Sequence, residues 1–186
     1  MSRIQVLGLK WSDVDLERGY VSVQRTLDYV KRQPMVKELK TDRSRRYVAL
    51  PRLSIEALHT QRAMQAQDKL LLGKAYRCSD WVFTNEYGDP LSPNSLNTAW
   101  YRALRQVDVP RIRFHDLRHT HASLLLQEGV NPKVVSERLG HATVQITLDT
   151  YSHVLPGLQR EAAHQIDNLL RKPGDNHFDT RRVEKW

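Results

Sequence analysis

The sequence predicts an α+β chain, mainly helical, in which a small three-stranded antiparallel sheet near the N-terminus packs on a helical domain. Tyr20 to Arg25 and Tyr47 to Leu50 alternate apolar with polar residues, and Met35 to Leu39 lies between them. A period of two is the signature of half-buried strands. After Pro51 the apolar spacing becomes helical, and the prolines and glycines beyond residue 88 stand where helices start and stop. A length of 186 residues suits one domain with a tail.

Taken in order, Leu7 to Trp11 reads as the end of an apolar helix and Trp11 to Asp15 as the turn after it. Lys31-Arg32-Gln33-Pro34 and Thr41-Asp42-Arg43-Ser44 are the two hairpin turns between the strands. Ser54 is placed to cap a helix whose apolar face, begun by Ile55 and Leu58, is weak. Trp81-Val82-Phe83 is a short buried segment and Gly88-Asp89-Pro90 a turn. Ser92 before Pro93 opens a helix with Leu96, Trp100 and Leu104 on one face. A further helix covers 115–128, Asn131-Pro132 opens one that closes at Gly140, and Thr143 caps another that stops before Pro156. Residues 1–171 form the domain. Residues 172–186, with four basic and three acidic residues and little apolar content, are expected to be a flexible tail.

Lys and Arg number 29 against 21 Asp and Glu, a net charge of +8. Nine of the cations and only three of the acids fall between Arg25 and Arg52. That local excess makes nucleic acid the leading partner, because each neutralised phosphate releases counterions; a solvated basic hairpin is the alternative. Mean hydropathy of −0.60 and the lack of a long apolar run exclude a spanning helix. Met1 to Trp11 does not read as a secretory signal, so the expected location is the cytoplasm. Cys78 stands alone, which excludes internal disulfides and Cys-rich zinc sites.

The segment His115-Asp116-Leu117-Arg118-His119 opens the most informative helix. At about 100° per residue, Asp116, Thr120, Ser123 and Gln127 form a polar stripe, and leucines and Ala122 occupy most of the remaining circumference. Arg118 points roughly 160° away from that stripe, with His115 on the same face. A guanidinium cannot shed its proton, so an apolar surround costs several kcal/mol unless an anion or hydrogen bonds compensate. Two partners remain open: a carboxylate or helix-end carbonyls of the chain itself, or a bound phosphate gripped by His115 and Arg118 together. Leu139-Gly140-His141 puts an imidazole just past a helix end. Tyr151 shares a helix face with Val144, Leu148 and Leu155, where a tyrosine is ordinarily a core residue.

Lys40 within Leu39-Lys40-Thr41, Ser44-Arg45-Arg46, His115-Asp116-Leu117-Arg118-His119, Leu139-Gly140-His141 and Thr150-Tyr151-Ser152-His153 occur in that order. Together they resemble the signatures of the tyrosine recombinases, the phage and transposon integrase family. The resemblance runs from about Leu7 to about Leu170 and is to the family's C-terminal catalytic domain, with a fold like that of DNA breaking-rejoining enzymes. The family's N-terminal core-binding domain is expected to be absent. The resemblance implies strand exchange through a 3′-phosphotyrosyl intermediate on double-stranded DNA, carried out by a homo-oligomer, a tetramer on DNA, at the bacterial nucleoid. Tyr151 would be the nucleophile, Arg118, His115 and His141 donors to the scissile phosphate, and Lys40 the general acid, with His115 assisting removal of the Tyr151 proton. Lys37, Arg43, Arg45, Arg46 and His119 would contact DNA. The tail would pack on a neighbouring protomer. No cofactor and no metal are implied.

The family's first catalytic arginine belongs to an Arg-x-x-Glu stretch, and counting back from Leu7 puts Ser2 and Gln5 in those places, with Arg3 one residue off. Arg3 is the remaining candidate for that role, though one residue of shift turns a helical side chain by about 100°. Two other classes compete. Residues 131–140 and the helix after them read as a helix-turn-helix of a non-catalytic DNA-binding fragment. His115, His119 and His141 could instead be a zinc hydrolase set, although the Glu of the HExxH pattern is missing.

Overall fold

In the computed structural model, residues 1–31, 33–39, 45–77, 80–152 and 158–170 are described. The chain starts with a short helix, α1 (Arg3–Leu7), followed by a 3₁₀ turn at Trp11–Asp13. Ser2 and Gln5 cap α1 reciprocally: the Gln5 amide donates to Ser2 Oγ at 3.4 Å and the Ser2 amide to Gln5 Oε1 at 2.8 Å.

Five strands follow where three were expected. β1 (Val14–Asp15), β2 (Tyr20–Val23) and β5 (Arg46–Ala49) make an antiparallel sheet in the order β1-β2-β5. β3 (Arg25–Val30) and β4 (Gln33–Glu38) make a separate two-stranded hairpin, with Val30 opposite Gln33. The expected strand from Tyr20 to Arg25 thus divides at Gln24. The cause lies in what β3 packs against: it leaves the first sheet to cross beneath α1, where Gly8 lets two backbones touch. A Cβ on Gly8 would sit 3.0 Å from the Leu27 amide nitrogen. Leu27 is fully buried at this crossing, and the buried Asp13 carboxylate holds the Arg25 guanidinium beside it. The first turn is also tighter than expected. Pro34 lies inside β4 rather than in the turn, paired with Tyr29, and β4 borders no further strand, so the missing N–H breaks no second ladder. All of β4 is exposed. The second turn, Thr41 to Ser44, lies outside the described residues.

A 21-residue helix, α2 (Arg52–Leu72), starts from Pro51 with no side-chain cap, so Ser54 is not the cap expected of it. None of its residues is fully buried, in keeping with a weak apolar face. Gln65 ties it down instead, accepting from Trp11 Nε1 at 2.7 Å and donating to the Val82 carbonyl at 3.0 Å and Thr84 Oγ1 at 2.8 Å. Val82 is fully buried with Leu9, Val21, Val23 and Val48 in the core of the first sheet.

The second half is helical: α3 (Pro93–Leu104), α4 (Asp116–Gln127), α5 (Pro132–Leu139), α6 (Val144–Tyr151) and α7 (Leu158–Leu170). Ser92, Asn131 and Gly140 stand at the helix ends as expected, with Gly140 in the left-handed region at φ 75°. Ala122, Leu126, Val135, Leu139 and Tyr151 form the second core, which joins α4, α5 and α6. On α4 the apolar surround is narrower than expected, because Leu124 is 56% exposed. On α6 the buried face runs through Thr147 and Tyr151, while Val144 is exposed. α6 ends at Tyr151, ahead of Pro156 as expected, while Leu155, Pro156 and the tail from 172 lie outside the described residues. Among the described residues no helix is long and apolar enough to cross a membrane.

Candidate functional site

The site lies where the first turns of α4, the end of α5, the end of α6 and the start of β5 converge. Each side chain in it is placed by a local rule. Trp100 packs edge-on against Phe114 and donates from Nε1 to the Ile112 carbonyl at 2.9 Å, which anchors the segment entering α4. Asp116 then closes the first turn by accepting from the Arg113 amide at 2.8 Å and from its guanidinium at 2.8 Å. His115 becomes the N-cap residue, and Arg118 and His119 fall on the inner side of the first turn.

Tyr151 is a core residue whose hydroxyl has a polar neighbour. Its ring is 2% exposed and packs with Ala122 and Val135. Its hydroxyl meets His119 Nδ1 at 2.9 Å. The His119 ring is in turn held edge-on by His115, with centroids 5.6 Å apart and planes at 80°. Burial raises the Tyr151 phenol above its ordinary value, while the Arg118 charge opposes that rise. The hydroxyl is therefore protonated at neutral pH and needs a base before it can act as a nucleophile.

Arg118 is half-buried, and burial lowers its guanidinium from the usual value while Tyr151 acts the other way. Among the described residues its guanidinium makes no ion pair and no hydrogen bond. Of the two partners open to it from the sequence, neither a carboxylate nor a helix-end carbonyl is present among them. Arg46 stands near enough that the Arg118 charge adds to burial in lowering it. Arg46, expected among the DNA contacts, is half-buried here: its Nε donates to the Arg138 carbonyl at 3.2 Å and its guanidinium fills the space over Gly140. A Cβ at Gly140 would lie 2.6 Å from Arg46 Nη1, so glycine is required there both by φ and by contact.

His141, just beyond that glycine, is bonded through Nδ1 to Thr147 Oγ1 at 2.8 Å. Thr147 is fully buried, so this hydroxyl has a fixed task in orienting the imidazole. Burial, then the charges of Arg118, His119 and Arg46, keep His141 below its ordinary value, hence neutral at pH 7. Arg138 donates from Nε to His121 Nε2 at 3.0 Å, and burial and the Arg138 charge lower His121 as well. A cleft of about 790 Å³ opens beside these groups, lined by Arg45, Arg46, Lys133, Arg138 and His141.

The structure thus brings Tyr151, Arg118, His115, His119 and His141 together and draws Arg46 in beside them. Arg3 is not among them. It lines a different cleft with Asp28, Tyr29 and Ser92, as the turn of about 100° from Ser2 requires, whereas the Met1 amino group lies within electrostatic reach of Arg46, Arg118 and Arg138. Lys37 and Arg45 stay on the exposed hairpin region, Arg45 donating to the Leu39 carbonyl at 3.2 Å. Lys40, Arg43 and His153 lie outside the described residues. Among the described residues no three His, Cys, Asp or Glu side chains assemble as a metal-holding group. His119 and His141 are committed to hydroxyls rather than to one another, so the three-histidine zinc set is not formed. The second helix of the helix-turn-helix reading turns Thr147 and Tyr151 inward and leaves Val144, Gln145 and Ile146 exposed. The sequence signal for Thr147 was its place four residues before Tyr151, one helical turn away on the same face. Nothing in the pattern singled out His121.

Residues 3–157 match the phage integrase family. The chain is 33% identical over 178 residues to a tyrosine recombinase XerC-like protein of Caldanaerobacter subterraneus subsp. tengcongensis, covering 89% of this chain and 46% of that one. It is 30% identical over 167 residues to the ICEBs1 integrase of Bacillus subtilis, covering 89% and 45% respectively. The chain therefore spans somewhat less than half the length of these curated relatives. In fold it is similar to the Tn1549 transposon integrase solved in complex with circular intermediate DNA, with a TM-score of 0.71 at 19% identity over 89% of this chain and 56% of that one.

Proposed function

Given that this chain belongs to the phage integrase family, we propose that it is the catalytic part of a site-specific DNA recombinase, cleaving and rejoining double-stranded DNA through a 3′-phosphotyrosyl intermediate. One observation carries this reading: a half-buried Arg118 whose guanidinium has no anionic partner among the described residues, placed beside a core tyrosine whose hydroxyl meets an imidazole nitrogen. An arginine so placed has the task of meeting an anion that arrives with a ligand, and a phosphodiester fits its planar fork.

Tyr151 Oη attacks the scissile phosphorus, and the bond to the 5′-oxygen breaks. Negative charge gathers on the nonbridging oxygens, where Arg118 and His115 act as donors. Neutral His141 adds a further donor through Nε2 when the Thr147 hydroxyl donates to its Nδ1. Lys40, which the family resemblance casts as the acid, would protonate the departing 5′-oxygen. The released 5′-hydroxyl of a partner strand then reverses these steps, and the ester energy is conserved throughout. Lys37, Arg43 and Arg45 supply phosphate contacts from the hairpin region, which set affinity rather than sequence choice. Assembly as a tetramer on DNA and action at the nucleoid in the cytoplasm complete the proposal.

The test is a covalent selection. The chain is incubated with a pool of nicked suicide duplexes of randomised sequence, and protein bound covalently to a 3′ end is recovered after denaturation. Wild-type chain yields an adduct that maps to Tyr151, and Tyr151→Phe yields none. An equal yield from Tyr151→Phe, or no adduct from the wild type, overturns the reading.

A further inference from the structure

The family resemblance casts His119 as a DNA contact and His115 as assisting removal of the Tyr151 proton, while the ring that meets the Tyr151 hydroxyl is that of His119. His119 Nδ1 is 2.9 Å from the Tyr151 hydroxyl, within direct proton-transfer range, and among the described residues His115 makes no hydrogen bond to that hydroxyl. We propose that His119 is a catalytic residue of this site, taking the phenolic proton of Tyr151 as the tyrosine attacks and returning it when the strand is rejoined. This inference rests on the strand-transfer reading above.

In the forward step the Oη–H bond breaks, the proton passes to Nδ1, the Oη–P bond forms and the bond from phosphorus to the 5′-oxygen breaks. In the reverse step the 5′-hydroxyl displaces Tyr151 and Nδ1–H reprotonates it. Two features of the surroundings suit His119 to this. Its ring is held edge-on by His115, so Nδ1 is aimed before DNA binds. The residue is exposed, so the far nitrogen can exchange its proton with solvent. The groups facing it are Tyr151 from α6, His115, Asp116 and Arg118 from its own helix and N-cap, and His141 from beyond α5. As the transferring phosphoryl group gathers negative charge it stabilises an imidazolium beside it, so the proton transfer is driven at the step that needs it.

The probe is the duplex that the covalent selection recovers, in single-turnover cleavage between about pH 5.5 and 8.5. His119→Ala and His119→Asn are compared, because Asn keeps a hydrogen-bonding group near the Nδ1 position but cannot take a proton. Both variants are expected to cleave about 10²–10⁴-fold more slowly, with duplex affinity unchanged and the acid limb of the pH profile flattened. The same defect is expected on a duplex whose leaving 5′-oxygen is replaced by sulfur, since that leaving group needs no acid. A wild-type pH profile and rate for His119→Asn would show that His119 only positions the ring. Restoration of His119→Ala by the sulfur substrate would make it an acid instead. Either result overturns the proposal while the Tyr151 adduct still stands; loss of the wild-type adduct itself would fault the earlier reading.

Discussion

Replacing Arg118 by methionine is expected to make the free protein more stable and the enzyme nearly inactive, and the opposite signs follow from one feature. The guanidinium is half-buried, has no hydrogen-bonding or ionic partner among the described residues, and adds its charge to that which Arg46 already feels. One helical turn on, its neighbour is the buried Ala122. Exchanging such a charge for an apolar side chain of similar length stabilises by about 1 kcal/mol, the low end of what buried ionic groups give, because solvent still screens a half-exposed cation. For a domain of this size that raises the melting temperature by about 2–4 °C. Cleavage falls about 10²–10³-fold, the cost of one lost donor to a developing oxyanion. Thermal melts and the single-turnover assay read the two effects separately. Added sulfate should raise the wild-type melting temperature by more than it raises that of the variant, because only the wild type offers the anion a fork. A variant that melts several degrees lower would mean that Arg118 is an ordinary structural cation, and the anion-site reasoning would fall with it.

Thr147→Val should cleave about tenfold more slowly with at most about 1 kcal/mol lost in stability, and Thr147→Ser should retain most of the rate, because what matters is the hydroxyl that orients His141; equal losses in both variants would point to packing alone. Gly140→Ala should destabilise by about 1–2 kcal/mol from its positive φ, and more from the clash with Arg46, so adding Arg46→Ala should recover part of the loss; additive melting-temperature shifts would refute the contact. His121 and His141 both titrate below their unfolded value of 6.5, so the unfolded chain binds more protons near that pH and stability falls as pH drops through it; melts at about pH 7.5 and 5.5 should differ, less so in His121→Gln, and a flat profile would contradict the lowering of both imidazoles. Lys37→Gln and Arg45→Gln should each reduce the slope of log affinity against log salt by about 0.9, with no change in the cleavage rate of bound DNA.

The helices were legible because their ends are written in single residues. Ser92-Pro93, Asn131-Pro132 and Gly140 each solve a local problem of unsatisfied backbone groups, so a pattern of a few residues suffices. The hairpin was not legible in the same way. Whether the chain after Val23 continues in one sheet or leaves it is decided by Gly8 and Leu27, fully 19 positions apart in sequence and in contact only after folding. The site divides along the same line. Arg118 facing away from the polar stripe is visible on a helical wheel, because both belong to one helix. The contact of His119 with the Tyr151 hydroxyl was not legible, because it depends on where α6 places Tyr151, which no spacing within α4 records. Arg46 was grouped with Arg43 and Arg45 as a DNA contact, since charge along the chain carries no sign of which cation turns inward.

The reading of Tyr151 as a core residue and its reading as a nucleophile are not alternatives in this fold. Its ring fills the junction of α4, α5 and α6, and that packing fixes the direction of the hydroxyl. A freely rotating tyrosine would lose much of the rate available from a placed nucleophile. Burial also raises the phenol, which keeps it protonated and unreactive until a base and a nearby phosphate charge act together. The cations have the complementary arrangement: Arg46, Arg118 and Arg138 gather around the same point, at a cost that the free protein bears through burial and mutual repulsion. In the proposed reaction a phosphodiester would remove that repulsion as it binds and supply the charge that draws the proton from Tyr151. Substrate binding and nucleophile activation therefore draw on one electrostatic source, so a loss of cationic charge from this cluster should weaken tyrosine activation more than it weakens the hold on DNA.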